Sequence, residues 1–254
     1  MFSSPDNLSH YSVRNASIWL ALAFQAGVVN AGGVLACHRF VTHTTGFGTT
    51  FGTEVAHGRL WTGLGMLSVP LFFICGAMAS AFLVDRRLIQ NKAPHYATVL
   101  FLMMLLMGTT LSAGVAGEFG SFGEPLTLTR DYILLALLAL TSGLQNAMVT
   151  TAFGAIVRTT HLTGISTDLG IGIVRLISNA QKAEQRHNEV RATWMRIGII
   201  SSFIFGSTLS SFIYLSVQYW GFVIPFLISL TLWMISLSFF KKDTLLSLKN
   251  KIAS

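Results

Sequence analysis

Six apolar runs, set off from one another by short polar or glycine-rich stretches, carry most of the chain. A helix needs about 20 mostly apolar residues to cross roughly 30 Å of hydrocarbon, so spans are predicted at about 17–37, 62–84, 97–117, 132–157, 195–217 and 221–240. Two further segments, at about 44–58 and 161–177, are too short for a crossing and begin in threonine- and glycine-rich turns. Residues 178–196 are polar with mixed charge and predict a solvated helical connector into the fifth span. Trp19, Trp61, Trp194 and Trp220 fall at or beside span ends, with Tyr96 and Tyr132 at two more, where aromatic rings favour the headgroup layer. Trp233 lies inside the sixth span. Pro70 and Pro225 are expected to bend theirs.

The pattern occurs twice. Thr42-His43-Thr44-Thr45-Gly46-Phe47-Gly48-Thr49 returns as Thr160-His161-Leu162-Thr163-Gly164-Ile165-Ser166-Thr167, and both read T-H-x-T-G-x-x-T. Each copy trails an apolar run with a second shared signature, Gly27-Val28-Val29-Asn30-Ala31 in the first and Gly143-Leu144-Gln145-Asn146-Ala147 in the second. An internal duplication explains the shared order, with repeats over 17–117 and 132–240, an extracytoplasmic loop at 118–131, and cytoplasmic tails at 1–16 and 241–254. Three spans per repeat is an odd number, so the second copy enters the membrane from the opposite side. The expected fold is an all-α polytopic membrane bundle, six spans in a 3+3 inverted-topology repeat with short or re-entrant segments after spans 1 and 4.

Composition agrees with a bilayer. The chain is 52% hydrophobic and 11% charged over 254 residues, with a mean hydropathy of +0.61, outside the range of ordinary soluble domains. A net charge of +7 could suggest nucleic acid, but the basic residues lie between apolar runs and make no single basic face, so no nucleic-acid partner is expected. Three of the 17 Lys and Arg residues, Arg39, Arg59 and Arg130, fall on one side of the predicted bundle and the other fourteen on the opposite side. Basic flanks are held in the cytoplasm, which puts both termini there. The start of the chain lacks the basic n-region of a cleaved signal peptide, and the faint lipoprotein box at Val34-Leu35-Ala36-Cys37 would remove the repeated Gly27 and Asn30. Cys37 and Cys75 make no metal-spaced pattern and are read as small buried residues.

The chemistry lies in the repeated motifs. Asn30 and Asn146 fall near mid-span, each with a glycine, Gly27 or Gly143, three residues earlier on the same face. An amide in hydrocarbon must be satisfied, either as interhelical packing glue or as part of a site between the repeats. The substrate-binding candidates are Gly27, Asn30, Thr42, His43, Thr45, Gly46, Thr49, Gly143, Gln145, Asn146, Thr160, His161, Thr163, Gly164 and Thr167. Glycine permits unusual backbone, and threonine hydroxyls recapture the groups a broken helix leaves open. Glu54 and Asp168, one per half, are the ion-coupling candidates, because a carboxyl withdrawn from water gains proton affinity; the bland alternative is a solvated segment end or a helix cap. His43 and His161 could relay protons or serve as hydrogen-bonded turn residues. A metal set of Cys37, His38, His43 and His57 can be drawn but is not duplicated, so no metal is expected. Gly198, Ser202, Gly206 and Ser210, spaced by four in span 5, read as packing.

The pairing of G-x-x-N-A with T-x-x-T-G, and later of Ser142-Gly143-Leu144-Gln145-Asn146-Ala147 with Thr160-His161-Leu162-Thr163-Gly164 through Thr167-Asp168-Leu169-Gly170, resembles the YoaK-like family of bacterial integral membrane proteins, a domain of unknown function. The resemblance runs from about Trp19 to Phe240 and implies an inner-membrane location and six spans. The chain departs from it at Asn30, where the family usually carries an acid, and at Phe47, where it carries asparagine.

Function then divides into two classes: a small secondary transporter or permease for an unidentified solute, with proton or cation coupling through the acids, or a non-transporting scaffold or lipid-handling protein. No Walker loop, dinucleotide fingerprint, HExxH or nucleophile elbow occurs, so neither an enzyme nor a cofactor is expected. Six spans make a small bundle, and a homodimer is compatible with it.

Overall fold

Ser12 opens the first helix, its hydroxyl accepting from Asn15 N at 3.1 Å. In this computed structural model, which describes residues 12–124, 129–153, 162–178 and 183–252, every element is helical and no strand occurs among the described residues. Helix α1 (Val13–Cys37) stops where His38 turns left-handed at φ 55°, and its ring nitrogen Nε2 lies 3.0 Å from Gly123 O. There follow α2 (Thr45–Ala56), α3 (Leu60–Leu83), α4 (Asp85–Ile89), α5 (Tyr96–Val115), α6 (Thr129–Phe153), α7 (Leu162–Ile177) and α8 (Ala183–Val217). A 3-10 turn at Gln218–Phe222 leads to α9 (Val223–Ile252).

Five helical stretches are long and apolar enough to cross a membrane: Val13–Cys37, Leu60–Ile89, Tyr96–Val115, Tyr132–Ala152 and Gln185–Ser238. The last contains two helices, α8 and α9, broken by the 3-10 turn. The protein is thus a helical membrane bundle. The short segments expected after the first and fourth runs are the separate helices α2 and α7, of 12 and 16 residues. At 1.5 Å per residue they reach only about 18 and 24 Å, less than a crossing. The polar connector is no separate element but the opening turns of α8, whose 35 residues run about 52 Å, well beyond the hydrocarbon.

Burial sorts the helices. In α1 and α6 72% of the apolar window is enclosed, against 22–33% in the other three stretches, so these two form the centre and the others surround them. The broadest contacts are α1 on α8 and α3 on α6; α5 closes on α9, and α2 and α7 each pack on the helix that follows. Leu22, Met103 and Ile199 lie in one fully enclosed cluster, Val28, Leu138, Tyr214 and Phe222 in a second.

Some of the aromatic and cysteine expectations need correction. Trp61, Trp194 and Trp220 are exposed, as rim residues should be, but Trp19 is only 3% exposed because α1 is central from its second turn onward, and Tyr96 is buried in the same cluster. Cys75 is exposed, since α3 turns most of its apolar surface outward, while Cys37 is buried as expected. Pro225 sits in the first turn of α9, directly after the 3-10 turn, where a helix tolerates its missing N–H. Pro70 does lie inside α3.

Candidate functional site

Two helix crossings bring the repeated residues together. On α1, a β-carbon at Gly27 would collide with Phe203 O and lie 2.9 Å from Ser207 N of α8. On α6, one at Gly143 would collide with Phe73 O and lie 3.0 Å from Ala77 N of α3. The partners answer in kind. Gly206 of α8 faces Phe24 O of α1, and Gly76 of α3 faces Leu140 O of α6. Each contact of one crossing has its counterpart in the other, with glycine on both helices allowing backbone against backbone. Gly27 and Gly143, read above as binding residues, are therefore filled by neighbouring helices and front no open space. The period-four row on α8 packs as predicted: Ser202 donates to Leu20 O at 2.7 Å, Gly206 meets α1, and Ser207 beside it donates to Gly27 O at 3.1 Å.

Beside the crossings runs a seam of buried amides. Asn30 and Asn146 are 6% and 8% exposed, Gln145 2%, and Gln25, which the sequence reading passed over, 0%. Gln145 donates from Nε2 to Leu22 O at 2.8 Å, tying α6 to α1. Gln25 donates from Nε2 to Ser229 Oγ of α9 at 2.8 Å, and its Oε1 has no hydrogen-bond partner among the described residues. The sequence signal for Gln25 is a polar residue in an otherwise apolar window at mid-span, and it has no repeated counterpart to single it out.

Asn30 anchors the first Thr-His motif. Its Oδ1 accepts from Thr42 Oγ1 at 2.9 Å and from Thr42 N at 3.4 Å. The same hydroxyl lies 2.9 Å from His43 Nδ1. With its one proton committed to Asn30, the hydroxyl must accept from His43 Nδ1–H, which leaves Nε2 as an acceptor when the ring is neutral. That ring is half-buried, edge-on to Phe40 and to Phe203 with centroids 6.5 and 6.4 Å away. Burial holds its pKa below the ordinary histidine value. Asn30, Thr42 and His43 thus form a directed chain from the C-terminal half of α1 to the turn beyond its end.

The rest of the motif lies elsewhere. Thr45, Gly46 and Thr49 are exposed on α2, and Gly46 and Thr49 line an open cleft of about 400 Å³ with His38, Arg39, Phe40 and Phe47. Thr163, Gly164 and Thr167 lie on α7, where Thr163 and Thr167 are exposed and Thr167 Oγ1 donates back to Thr163 O at 3.0 Å. Thr160 and His161 lie outside the described residues. The candidates among the described residues therefore do not share one pocket: a buried seam holds Asn30, Thr42, Gln145 and Asn146 with His43 at its end, Gly27 and Gly143 lie in the crossings, and Thr45, Gly46, Thr49, Thr163, Gly164 and Thr167 sit on two peripheral helices.

The carboxyls also divide. Glu54 pairs with Arg59 through two bonds, Nε to Oε2 at 2.5 Å and Nη2 to Oε1 at 3.1 Å. Hydrogen bonding to Arg59 holds its carboxyl below the usual range, the opposite of the raised proton affinity expected from the sequence. Asp168 is half-exposed on α7. Glu189, not singled out from sequence, bridges Arg196 at 2.7 Å and Arg175 of α7 at 3.4 Å. Each short helix is thus tied to the start of the next span by an ion pair. Among the described residues no three His, Cys, Asp or Glu side chains gather as a metal group.

No curated protein and no solved structure matches the chain. A family model described as Protein of unknown function (DUF1275) matches residues 18–235, the stretch that holds both crossings, the amide seam and both short helices. The YoaK-like proteins fall within that family, so the resemblance read from the two motifs holds, and the chain belongs to the DUF1275 family.

Proposed function

We propose that this protein is a small permease of the bacterial inner membrane, with six spans in a 3+3 inverted repeat, both termini cytoplasmic, and a solute path along the amide seam between α1 and α6. The observation that carries the reading is the pair of matched asparagines, Asn30 and Asn146, both buried on the two central helices beside matched glycine crossings. Repeats built this way place solute sites near the midplane between their halves. Hydrogen-bonding amides and hydroxyls, with no buried ion pair in the seam among the described residues, suit a small polar solute. Asp168, half-exposed on the short helix of the second half, is the coupling candidate. This reading assigns the chain no catalytic role.

Flux into proteoliposomes under an imposed proton gradient tests it. Uptake of a polar solute that falls at least tenfold in Asn146→Ala and in Asn30→Ala, with the protein still folded, supports a path along the seam. No flux of any solute, together with a partner that co-purifies at fixed stoichiometry, would replace it with the scaffold reading.

A further inference from the structure

A second site lies at the other end of α3, away from the amide seam. The chain leaves α3 through the single turn of α4, loops back over residues 90–95 and enters α5, enclosing a cleft of about 400 Å³. Arg86, Arg87, Lys92 and His95 line it, with Phe82 and Gln90. Among the described residues no carboxylate pairs with Arg86, Arg87 or Lys92; Asp85 starts the same turn but does not line the cleft. Other bonds hold the cations in place. Arg87 donates from Nε to Ala93 O at 2.6 Å, which orients its guanidinium, and the Arg86 guanidinium rests 4.7 Å above the Phe82 ring. His95 is fixed through its own backbone N–H, donated to Leu83 O at 3.0 Å. Three cations gathered without a counter-charge repel one another unless an anion joins them.

We propose that this cleft binds the phosphate of an anionic phospholipid. The surface below it selects the lipid over a soluble phosphate. Met78 and Phe82 are 66% and 60% exposed and spaced by four, on the face that continues to Arg86. An acyl chain laid along Met78 and Phe82 ends its glycerophosphate at the Arg86 and Lys92 heads, apolar against apolar and anion against cation. Basic pockets at the cytoplasmic ends of spans recognise lipid headgroups by this chemistry. The proposal rests on the membrane location of the bundle and not on transport, so it survives if no solute moves.

The test is native mass spectrometry and thermal unfolding of the full chain in neutral detergent, with phosphatidylglycerol, phosphatidylcholine, inorganic phosphate or glycerol phosphate added. Phosphatidylglycerol should be retained and should raise the melting temperature, and phosphatidylcholine should not. Arg86→Gln and Lys92→Gln should each weaken phosphatidylglycerol binding roughly fivefold, and more together, while the charge-preserving pair R86K and K92R keeps it. Lys249→Gln with Lys251→Gln, removing as much charge from the C-terminal tail, should leave it unchanged. Equal loss in the tail variant, or unchanged binding in both single cleft variants, overturns the site. Stabilisation by inorganic phosphate or glycerol phosphate equal to that by the lipid overturns the lipid as its occupant.

Discussion

Adding one methyl group at Gly27 should cost more than its size suggests. The new carbon of Gly27→Ala would overlap Phe203 O and sit 2.9 Å from Ser207 N, where comfortable contact needs about 3.5 Å, so α1 and α8 must part by roughly 1 Å or more. The obstacle is main chain of a continuous helix and cannot swing aside. Overpacking of this kind costs about 1–3 kcal/mol, and alanine returns up to about 1 kcal/mol through helix propensity. A net loss of about 1–2 kcal/mol follows, and Gly143→Ala, facing Phe73 O in the same way, should match it. Gly48→Ala and Gly52→Ala supply the contrast, since nothing lies within 4 Å of either site and only the propensity gain of up to about 1 kcal/mol remains. Unfolding free energies in mixed micelles, by detergent titration or steric trapping, read all four. Gly27→Ala combined with Gly206→Ala should cost less than the sum of the two, because both act on one crossing, whereas Gly27→Ala with Gly143→Ala should be additive. The reasoning is refuted if Gly27→Ala and Gly143→Ala are as stable as Gly48→Ala.

The buried bond between Asn30 and Thr42 should show a coupling energy of about 0.6–1.7 kcal/mol in a double-mutant cycle of Asn30→Ala and Thr42→Val, the range for hydrogen bonds inside membrane bundles. Ser229→Ala should destabilise by about 1–3 kcal/mol, because it strips Gln25 of its hydrogen-bond acceptor, and adding Gln25→Leu should restore most of that; the same unfolding titration reads both, and a double variant no more stable than the single one would count against the bond. His43 has its folded pKa depressed by burial, so the unfolded chain binds more protons near 6.5 and stability should fall as pH drops through that value. His95, also lowered by burial and then by Arg87, adds to the same window, and melting curves of His43→Gln and His95→Gln between about pH 7.5 and 5 should separate the two contributions. Labelling of cysteines placed at each terminus should find both ends on one face, and opposite faces would exclude six spans.

Much of the architecture was legible because lipid simplifies the rules. With no water to satisfy backbone, an apolar run of about 20 residues has to be helical, and the length test placed the first four long helices within a few residues of their observed bounds, while α8 begins and α9 ends about a dozen residues beyond the apolar runs, in polar turns that the test does not count. The short helices α2 and α7 were readable for the same reason, being apolar but too short. The repeat signature also located Asn30, Asn146, Gly27 and Gly143 at inward-facing positions. Burial direction elsewhere was not readable, because a residue facing lipid and one facing a neighbouring helix can be equally apolar. Hence Trp19 was expected at the rim and Cys75 in the interior, and both were misjudged.

Charges follow the same division. Glu54 and Asp168 each lie in the short segment of their half, yet only the folded chain sets Arg59 against Glu54 and leaves Asp168 half-exposed on α7. Glu189 shares a helix face with Arg196 two turns on, but its second arginine, Arg175, comes from α7, a meeting that only the fold brings about. The amino-acid order by itself determined that this is a helical membrane protein, where its long helices run, and that one motif pair is used twice, since all of that depends on local apolarity and on self-similarity. Which helices are central, that Gly27 and Gly143 are closed by backbone, and that Asn30 holds Thr42 while the exposed threonines turn away were decided by tertiary structure. Contacts between residues far apart in the chain are chosen by how the surfaces of whole helices fit, and only the assembled bundle makes that choice.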